Sequence, residues 1–366
     1  MSWIKIILIN LSVFVGLILM SEISLRLVWT GHTCITRDCD FSRVSKLEVN
    51  ESNADFTANN IGLTEYHDVL GYQPKPGFDG IIDAAGWNGK SVTIDDNGYR
   101  SNGITHAEKD LDTSRIILTV GDSFTFGDQV NNDETWPACI EKHTKRVTLN
   151  AGAPGYGSAQ AVRRAMDIQK YEEIDTLILS ILLNDDLHRD QLNFRSGAPR
   201  PAVVYREGRL SYAEIPPVDS PGTKWNPKEP NLLLSATHRY SMLGARILKA
   251  YDVDLTGMLR SERHPEAATL DQIIKFTITE FARIEAPHKI VVFQYTQHDI
   301  PELSAEVQKT RDAVTEISTE NGIPVVDTFD ALKREYSSGK EMVWDIHHTA
   351  YGNSIVCDEI VKSIPN

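Results

Sequence analysis

The sequence predicts an α/β fold, a three-layer α/β/α sandwich around a five-stranded parallel sheet. From residue 115 onward, short apolar runs alternate with longer stretches of helical periodicity. This alternation is typical of a parallel sheet whose two faces are covered by helices. The composition, 41% hydrophobic and 24% charged residues, is that of a globular chain and excludes collagen-like, wholly disordered and multi-span membrane proteins.

Five predicted strands and five predicted helices follow one another in this part of the chain. The apolar runs that predict strands are Ile116–Val120, Val147–Leu149, Leu177–Leu183, Ile290–Tyr295 and Pro324–Val326. The periodic stretches that predict helices are Trp136–His143, Ser158–Lys170, Leu270–Ile284, Leu303–Asn321 and Tyr351–Ser363.

The first thirty residues predict a membrane anchor. Residues Ile6 to Met20 carry no charge, Lys5 precedes them, and no small-residue cleavage site follows. Flanking apolar residues lengthen the span towards the roughly 20 residues that a membrane helix needs, which favours an uncleaved signal-anchor over a removed signal peptide. Lys5 favours a cytoplasmic N-terminus, so we expect the rest of the chain to lie outside the cytoplasm, on the periplasmic or extracellular side.

Between the anchor and the sheet, residues 31–110 lack sustained periodicity and are rich in turn residues. They predict a lead-in of short strands before a main domain over residues 111–366. An insertion at about residues 190–266 contains half of the prolines. It could shape a substrate cleft, and a surface loop is the alternative.

The net charge indicates which partners the chain can bind, and the cysteines indicate the redox conditions of its compartment. A formal net charge of −14 without clustered Lys and Arg argues against a nucleic-acid partner. Cys34 and Cys39 lie close enough in sequence to pair in an oxidising compartment, although free thiols remain an alternative. Cys139 and Cys357 lie in predicted helices, and we expect them to be buried thiols.

Polar residues follow the predicted strands, at the edge of a parallel sheet where ligands bind. Ser123 comes directly after the first strand, a glycine-rich turn with Gly155 follows the second, and Asn184 follows the third. Ser123 is a candidate nucleophile. The Ser123 N–H, the Gly155 N–H and the Asn184 side-chain amide are candidate donors to the oxyanion of an acyl-transfer intermediate. Each residue also has a structural alternative as a helix cap or turn residue.

A serine nucleophile needs a histidine base, and that histidine needs a group that fixes its tautomer. Asp345, His347 and His348 precede the last predicted helix. Asp345 would share a side with His347 in an extended segment and with His348 in a helical turn, so both histidines are candidates. The two histidines and nearby Asp330 could suggest a metal site, but no motif such as H-E-x-x-H accompanies them. Asp185 and Asp186 are interpreted as solvated or capping carboxylates.

Taken together and in this order, these residues resemble the four blocks of the GDSL-type, or SGNH, hydrolase family. The resemblance covers roughly residues 115–366. Gly121-Asp122-Ser123 is similar to the first block, Asn150 to Gly157 to the second, and Asn184-Asp185 to the third, although Leu182 stands where many members have glycine. Residues 70–76 and 96–100 are similar to the lead-in of membrane-anchored bacterial members.

The resemblance implies a flavodoxin-like SGNH fold and a catalytic serine at Ser123. In the family a glycine commonly follows the catalytic histidine by five residues, as Gly352 follows His347. This spacing favours His347 as base, with Asp345 as the acid that orients it and His348 as the alternative base. The resemblance implies no metal and no organic cofactor.

The sequence therefore predicts an exported serine esterase that hydrolyses O-acyl esters, O-acetyl esters included, through an acyl-serine intermediate. Its location outside the cytoplasm suggests an acylated glycan or a lipid as the ester-bearing substrate. One alternative is an O-acyltransferase of envelope or secreted polysaccharide on the same scaffold. Another is a non-catalytic carbohydrate-binding scaffold.

Overall fold

The computed structural model describes residues 62–83, 86–103, 111–195, 198–215, 262–339 and 343–365. All of these belong to one folded unit. The predicted anchor over residues 1–30, Cys34, Cys39 and much of the predicted insertion lie outside the described residues.

Fourteen strands are present in the described residues. They are β1 (Thr64–His67), β2 (Gly71–Pro74), β3 (Asp79–Ile82), β4 (Lys90–Thr93), β5 (Asp112–Val120), β6 (Arg146–Asn150), β7 (Ile174–Leu182), β8 (Leu192–Arg195), β9 (Ala198–Pro199), β10 (Val203–Arg206), β11 (Arg209–Tyr212), β12 (Glu262–Arg263), β13 (His288–Gln294) and β14 (Val325–Asp327).

The same part of the chain contains eight α-helices. They are α1 (Ser123–Phe126), α2 (Trp136–Thr144), α3 (Ser158–Ile168), α4 (Asp186–Arg189), α5 (Leu270–Arg283), α6 (Ala305–Glu320), α7 (Phe329–Ser338) and α8 (Ala350–Val361). None of these helices is long and apolar enough to cross a membrane.

Five strands form one parallel sheet in the order β14-β13-β7-β5-β6. They coincide with the five apolar runs of the sequence, so the predicted central sheet is confirmed. The runs are apolar on both faces because helices cover both. Helix α8 packs against α2 and α7, while α5 packs against α3 and α6. The five long helices predicted from periodicity are all present; α7 was not predicted.

The strand order places the carboxyl end of β5 at a branch point. The chain passes from β5 to β6 on one side and then to β7 on the other. Loops that leave neighbouring strands in opposite directions open a crevice at this edge of an α/β sheet. The residues that follow β5, β6 and β7 therefore line a common cleft.

The lead-in packs against the first helix of the sheet domain. Strands β1 and β2 form one antiparallel pair, and β3 and β4 form another. Leu63, Trp87 and Ile94 of the lead-in bury their side chains with Phe126 of α1 in a small apolar cluster. Arg100, 2% exposed, donates from its guanidinium to the carbonyl oxygens of Phe126, Gly127 and Val130. The lead-in thus holds the C-terminal end of α1 and the loop that follows it.

Part of the predicted insertion forms short antiparallel strands. Strands β12, β8 and β9 make one small sheet, and β10 and β11 form a hairpin. Strand β9 contacts β2 of the lead-in, so these two outer regions meet beside the cleft. The boundaries of the lead-in, the main domain and the insertion remain predictions.

The expectation that Cys139 and Cys357 are free thiols is wrong. The two residues form a disulfide between α2 and α8, across a sequence separation of 218 residues. The sequence predicted both helices but not their contact, because neighbouring helices on one sheet face are brought together only by the order of the strands in the sheet. Disulfides persist mainly in oxidising compartments.

Candidate active site

Ser123 occupies the first turn of α1, directly after β5. The Asp122 carboxylate accepts a hydrogen bond from the Phe124 N–H at 2.9 Å and caps the helix. Gly127 ends the helix in the left-handed conformation, with φ of 86°. This short helix holds Ser123 in place, and the serine is 2% exposed.

The structure brings His347 to Ser123. His347 Nε2 lies 2.9 Å from Ser123 Oγ, and its Nδ1 lies 3.0 Å from Gln129 Oε1. His347 is 5% exposed, and its ring packs on Phe124 with centroids 5.0 Å apart. A buried serine–histidine contact of this length is the geometry in which imidazole can take the hydroxyl proton.

Asp345 is not brought to the His347 ring. Its side chain is exposed, and its only hydrogen bond within the described residues is from its backbone N–H to the His347 carbonyl, at 2.9 Å. The prediction placed Asp345 and His347 on one side of an extended segment. Ile346 between them instead has φ of 88°, a left-handed conformation that breaks the alternation of side chains. The position facing Nδ1 is filled by Gln129.

His348, the alternative base, points into the apolar core. Its ring lies between Phe124, at 4.9 Å, and Trp344, at 5.4 Å between centroids. Burial lowers the pKa of His348 to about 3, and the neighbouring His347 acts in the same direction. His348 is therefore a neutral packing residue at physiological pH.

The three predicted oxyanion donors follow β5, β6 and β7, which are neighbours in the sheet. Within the described residues, no hydrogen bond engages the Ser123 N–H or the Gly155 N–H. The Asn184 amide nitrogen lies 3.4 Å from both Thr296 Oγ1 and Asp299 Oδ2, beyond the end of β13. The two backbone N–H groups are thus available, whereas the Asn184 amide faces the loop after β13.

The glycine-rich loop after β6 is held by its carbonyl groups. The Tyr72 hydroxyl donates to the Pro154 carbonyl at 2.9 Å, and Arg200 Nη2 donates to the Gly155 carbonyl at 2.5 Å. Arg200 also donates to the Tyr72 hydroxyl at 3.0 Å. In a trans peptide the C=O and the N–H point in opposite directions. Tyr72 therefore fixes the direction of the Gly155 N–H, which shares a peptide plane with the Pro154 carbonyl.

Arg189 ties together the loops after β5, β6 and β7. Its guanidinium donates to Asp122 at 3.2 Å, Asp186 at 2.8 Å, Asp185 at 2.6 Å and the Tyr156 carbonyl at 3.1 Å. Asp122 adjoins Ser123 in sequence, so this buried cation also balances the charge beside the nucleophile. A buried arginine of this kind is stabilising only because its carboxylate partners accompany it.

The interpretation of Asp186 as a solvated carboxylate is wrong, because this residue is fully buried. Half-buried Asp185 occupies a capping position, as the N-cap of α4, although its side chain makes no capping hydrogen bond. Burial and the nearby Asp122 raise the pKa of Asp186, although Arg189 opposes this effect. Burial disfavours the charged form of Asp185 too, yet Arg189 and Arg195 lower its pKa to about 2. The position of these two aspartates after a strand could be read from the sequence, but their ion pairs with Arg189 and Arg195 could not.

One group of side chains in the described part of the chain has metal-ligand character. Cys139, His143 and Cys357 bring their donor atoms within 4.8 Å of one another. Because the two sulfur atoms form a disulfide, this group offers a single imidazole rather than a set of ligands.

Sequence reasoning missed Gln129, Arg189 and Arg200 as residues of the site. None of them belongs to a motif with a recognisable spacing. Tyr72 lies in the lead-in segment that the family resemblance already singled out. The one feature of the sequence that could have indicated Gln129 is its position, two residues after the glycine that ends α1.

A model of the GDSL-like lipase/acylhydrolase family matches residues 119–355 of the chain. A lipolytic protein of the G-D-S-L family from Veillonella parvula is 12% identical, with a TM-score of 0.40, over 68% of this chain and 97% of that chain. The acetylxylan esterase Axe2 from Geobacillus stearothermophilus is 13% identical, with a TM-score of 0.37, over 70% and 96% of the two chains. The esterase EstA from Pseudoalteromonas is 13% identical, with a TM-score of 0.37, over 68% and 96%. No curated protein matches the chain.

Proposed function

This chain belongs to the GDSL-like lipase/acylhydrolase family of SGNH serine hydrolases, and from that premise we propose that it is an exported esterase in which Ser123 and His347 cleave O-acyl esters. The observation that carries the proposal is the contact of 2.9 Å between His347 Nε2 and Ser123 Oγ inside the cleft. The order of the family blocks along the chain supports it.

The proposed reaction has two halves. Ser123 Oγ attacks the carbonyl carbon of the ester while its proton passes to His347 Nε2, and the oxyanion is bound by the Ser123 and Gly155 N–H groups. The tetrahedral intermediate collapses as His347 returns the proton to the leaving alcohol, which leaves an acyl-serine. Water then attacks the acyl-serine with His347 as base, and the carboxylic acid departs.

The substrate class follows from the proposed location. The uncharged segment from Ile6 to Met20 supports a membrane anchor. The Cys139–Cys357 disulfide supports an oxidising compartment. Outside the cytoplasm, O-acylated glycans, O-acetylated ones included, and lipid esters are the ester classes available to such an enzyme.

Digestion of intact cells with an added protease, followed by detection of the chain with an antibody, tests whether the chain is exposed on the cell surface. A chain that stays protected where a known surface protein is cleaved would contradict extracellular exposure.

The activity is tested with the full-length chain and a fluorophosphonate probe, which labels only an activated serine. We expect the wild type to be labelled and to hydrolyse short-chain nitrophenyl esters, and Ser123→Ala to do neither. Ser114→Ala is the matched control, because Ser114 is exposed at the start of β5. It should behave as the wild type.

Two outcomes would change the proposal. Absence of both labelling and turnover in well-folded wild type would favour a non-catalytic binding protein. Labelling with turnover that requires an added glycan acceptor would favour an acyltransferase, in which a sugar hydroxyl rather than water takes the acyl group.

A further inference from the structure

The amide of Gln129 faces the side of the catalytic imidazole that is turned away from Ser123. Gln129 Oε1 lies 3.0 Å from His347 Nδ1 and accepts a hydrogen bond from the His347 backbone N–H at 3.2 Å. One side-chain oxygen therefore binds both the main chain and the ring of the same histidine.

The backbone contact determines which end of the amide faces His347. A backbone N–H can only donate, so the atom that meets it must be the amide oxygen and not the amide nitrogen. The oxygen can only accept, so Nδ1 of the ring must carry a proton to bond with it. Neutral imidazole then has its lone pair on Nε2, the atom that faces the Ser123 hydroxyl.

Two backbone features allow the Gln129 amide to lie beside His347. Gln129 has φ of 68°, a left-handed conformation that non-glycine residues rarely adopt. A Cβ atom on Gly86 of the lead-in would come within 2.0 Å of Gln129 Nε2. Gly86 itself has φ of 86°, a backbone conformation that favours glycine over residues with a side chain. A side chain at this position would also take the space that the Gln129 amide occupies.

We propose that Gln129 is the positioning residue of His347 and takes the place of the triad carboxylate. This inference rests on the proposed function, since it assigns a role within the same site. A neutral amide fixes the tautomer and the orientation of the ring as a carboxylate does. It contributes no negative charge to the imidazolium that forms when the Ser123 proton arrives.

The chemical difference between an amide and a carboxylate provides the test. In the full-length chain, Gln129→Met removes the acceptor at similar volume. We expect kcat for a nitrophenyl ester to fall by about 10²-fold with KM little changed, because a misplaced catalytic group costs about that factor. Gln73→Met is the matched control: Gln73 lies on β2, where its amide donates to Glu65, and this variant should keep the wild-type kcat.

Gln129→Glu is the second variant, and its readout is the pH profile of kcat/KM. A carboxylate beside Nδ1 favours the charged imidazolium, so the acid limb of the profile should move to higher pH by about 1 unit or more. Activity above that limb should match or exceed the wild type. A role confined to packing would not move the limb.

The outcomes separate this inference from the proposed function. If the wild type is not labelled by fluorophosphonate, the function itself fails. If the wild type is labelled but Gln129→Met and Gln129→Glu keep its rate and pH profile, the inference alone is overturned. A loss of 10²-fold or more in Asp345→Asn, together with an unaffected Gln129→Met, would also overturn it, because Asp345 would then be the orienting group.

Discussion

At the scale of single residues, the two adjacent histidines of the last loop differ in burial partners and in chemistry. His347 faces two polar partners, Ser123 and Gln129. His348 is packed between the aromatic rings of Phe124 and Trp344. A group whose pKa lies near 3 is a poor proton acceptor at neutral pH.

Replacement of each histidine should therefore have very different effects on catalysis. We expect His347→Ala to lower kcat/KM by about 10⁴-fold or more, the range seen when a triad base is removed. His348→Leu should lower it by less than about tenfold, because leucine also fills an apolar site. Ester turnover and the rate of fluorophosphonate labelling measure both. Equal losses in the two variants, at similar melting temperatures, would contradict this assignment.

At the scale of elements, the outer regions of the chain support the loop that carries the oxyanion donor. Strand β2 supplies the Tyr72 hydroxyl to the Pro154 carbonyl, and the segment after β9 supplies Arg200 to the Gly155 carbonyl. In return, the Tyr156 hydroxyl donates to the Tyr72 carbonyl at 2.5 Å. A loop with a glycine at φ of 75° has few conformational restraints of its own, so these contacts determine where its N–H groups point.

Removal of one hydroxyl tests this support. Tyr72→Phe deletes the donor to Pro154 and leaves the ring in place. We expect kcat to fall by about 10- to 100-fold with a small change in KM, somewhat less than the 10² to 10³ lost when an oxyanion donor is removed outright. Tyr99→Phe is the control, a buried tyrosine of the same lead-in. A Tyr72→Phe enzyme with wild-type kcat would show that the loop holds its conformation without the lead-in.

At the scale of the whole molecule, buried charge makes stability depend on pH. Asp190 is 2% exposed and accepts hydrogen bonds from the N–H groups of Ala159, at 2.8 Å, and Gln160, at 3.3 Å, at the start of α3. Burial raises its pKa to about 7, although these two hydrogen bonds act in the opposite direction. In the unfolded chain an aspartate titrates near pH 3.9.

Between about pH 4 and pH 7 the folded state therefore holds a proton that the unfolded state has lost. Stability from this group is complete below pH 4 and declines as the pH rises towards 7, by about 1.4 kcal/mol per pH unit. Asp190→Asn keeps an acceptor for the α3 N–H groups without the titration. Urea unfolding of both proteins at pH 5 and pH 8 measures the effect. We expect the wild type to lose about 3 kcal/mol relative to the variant between these values, and equal pH dependence in both would contradict the expectation.

The sequence alone determined the layers of strands and helices and the order of the candidate catalytic residues along the chain. Apolar runs and helical periodicity are local properties, so the strands from Ile116 to Val326 and the long helices could be predicted from neighbouring residues. The position of Ser123 after a strand, Gly155 after the next and a histidine before the last helix also follows from the linear order. The parallel sheet then brings these strand ends to one edge.

Only the tertiary structure decided which distant residues meet. Gln129 and His347 are separated by 218 positions, as are Cys139 and Cys357, and no local pattern records such a contact. The exclusion of Asp345 from the ring of His347 depends on a single positive φ at Ile346, a conformation that the sequence of a β-branched residue argues against. Local preferences encode the elements, whereas the partners of a catalytic group are set by the packing of whole elements against one another.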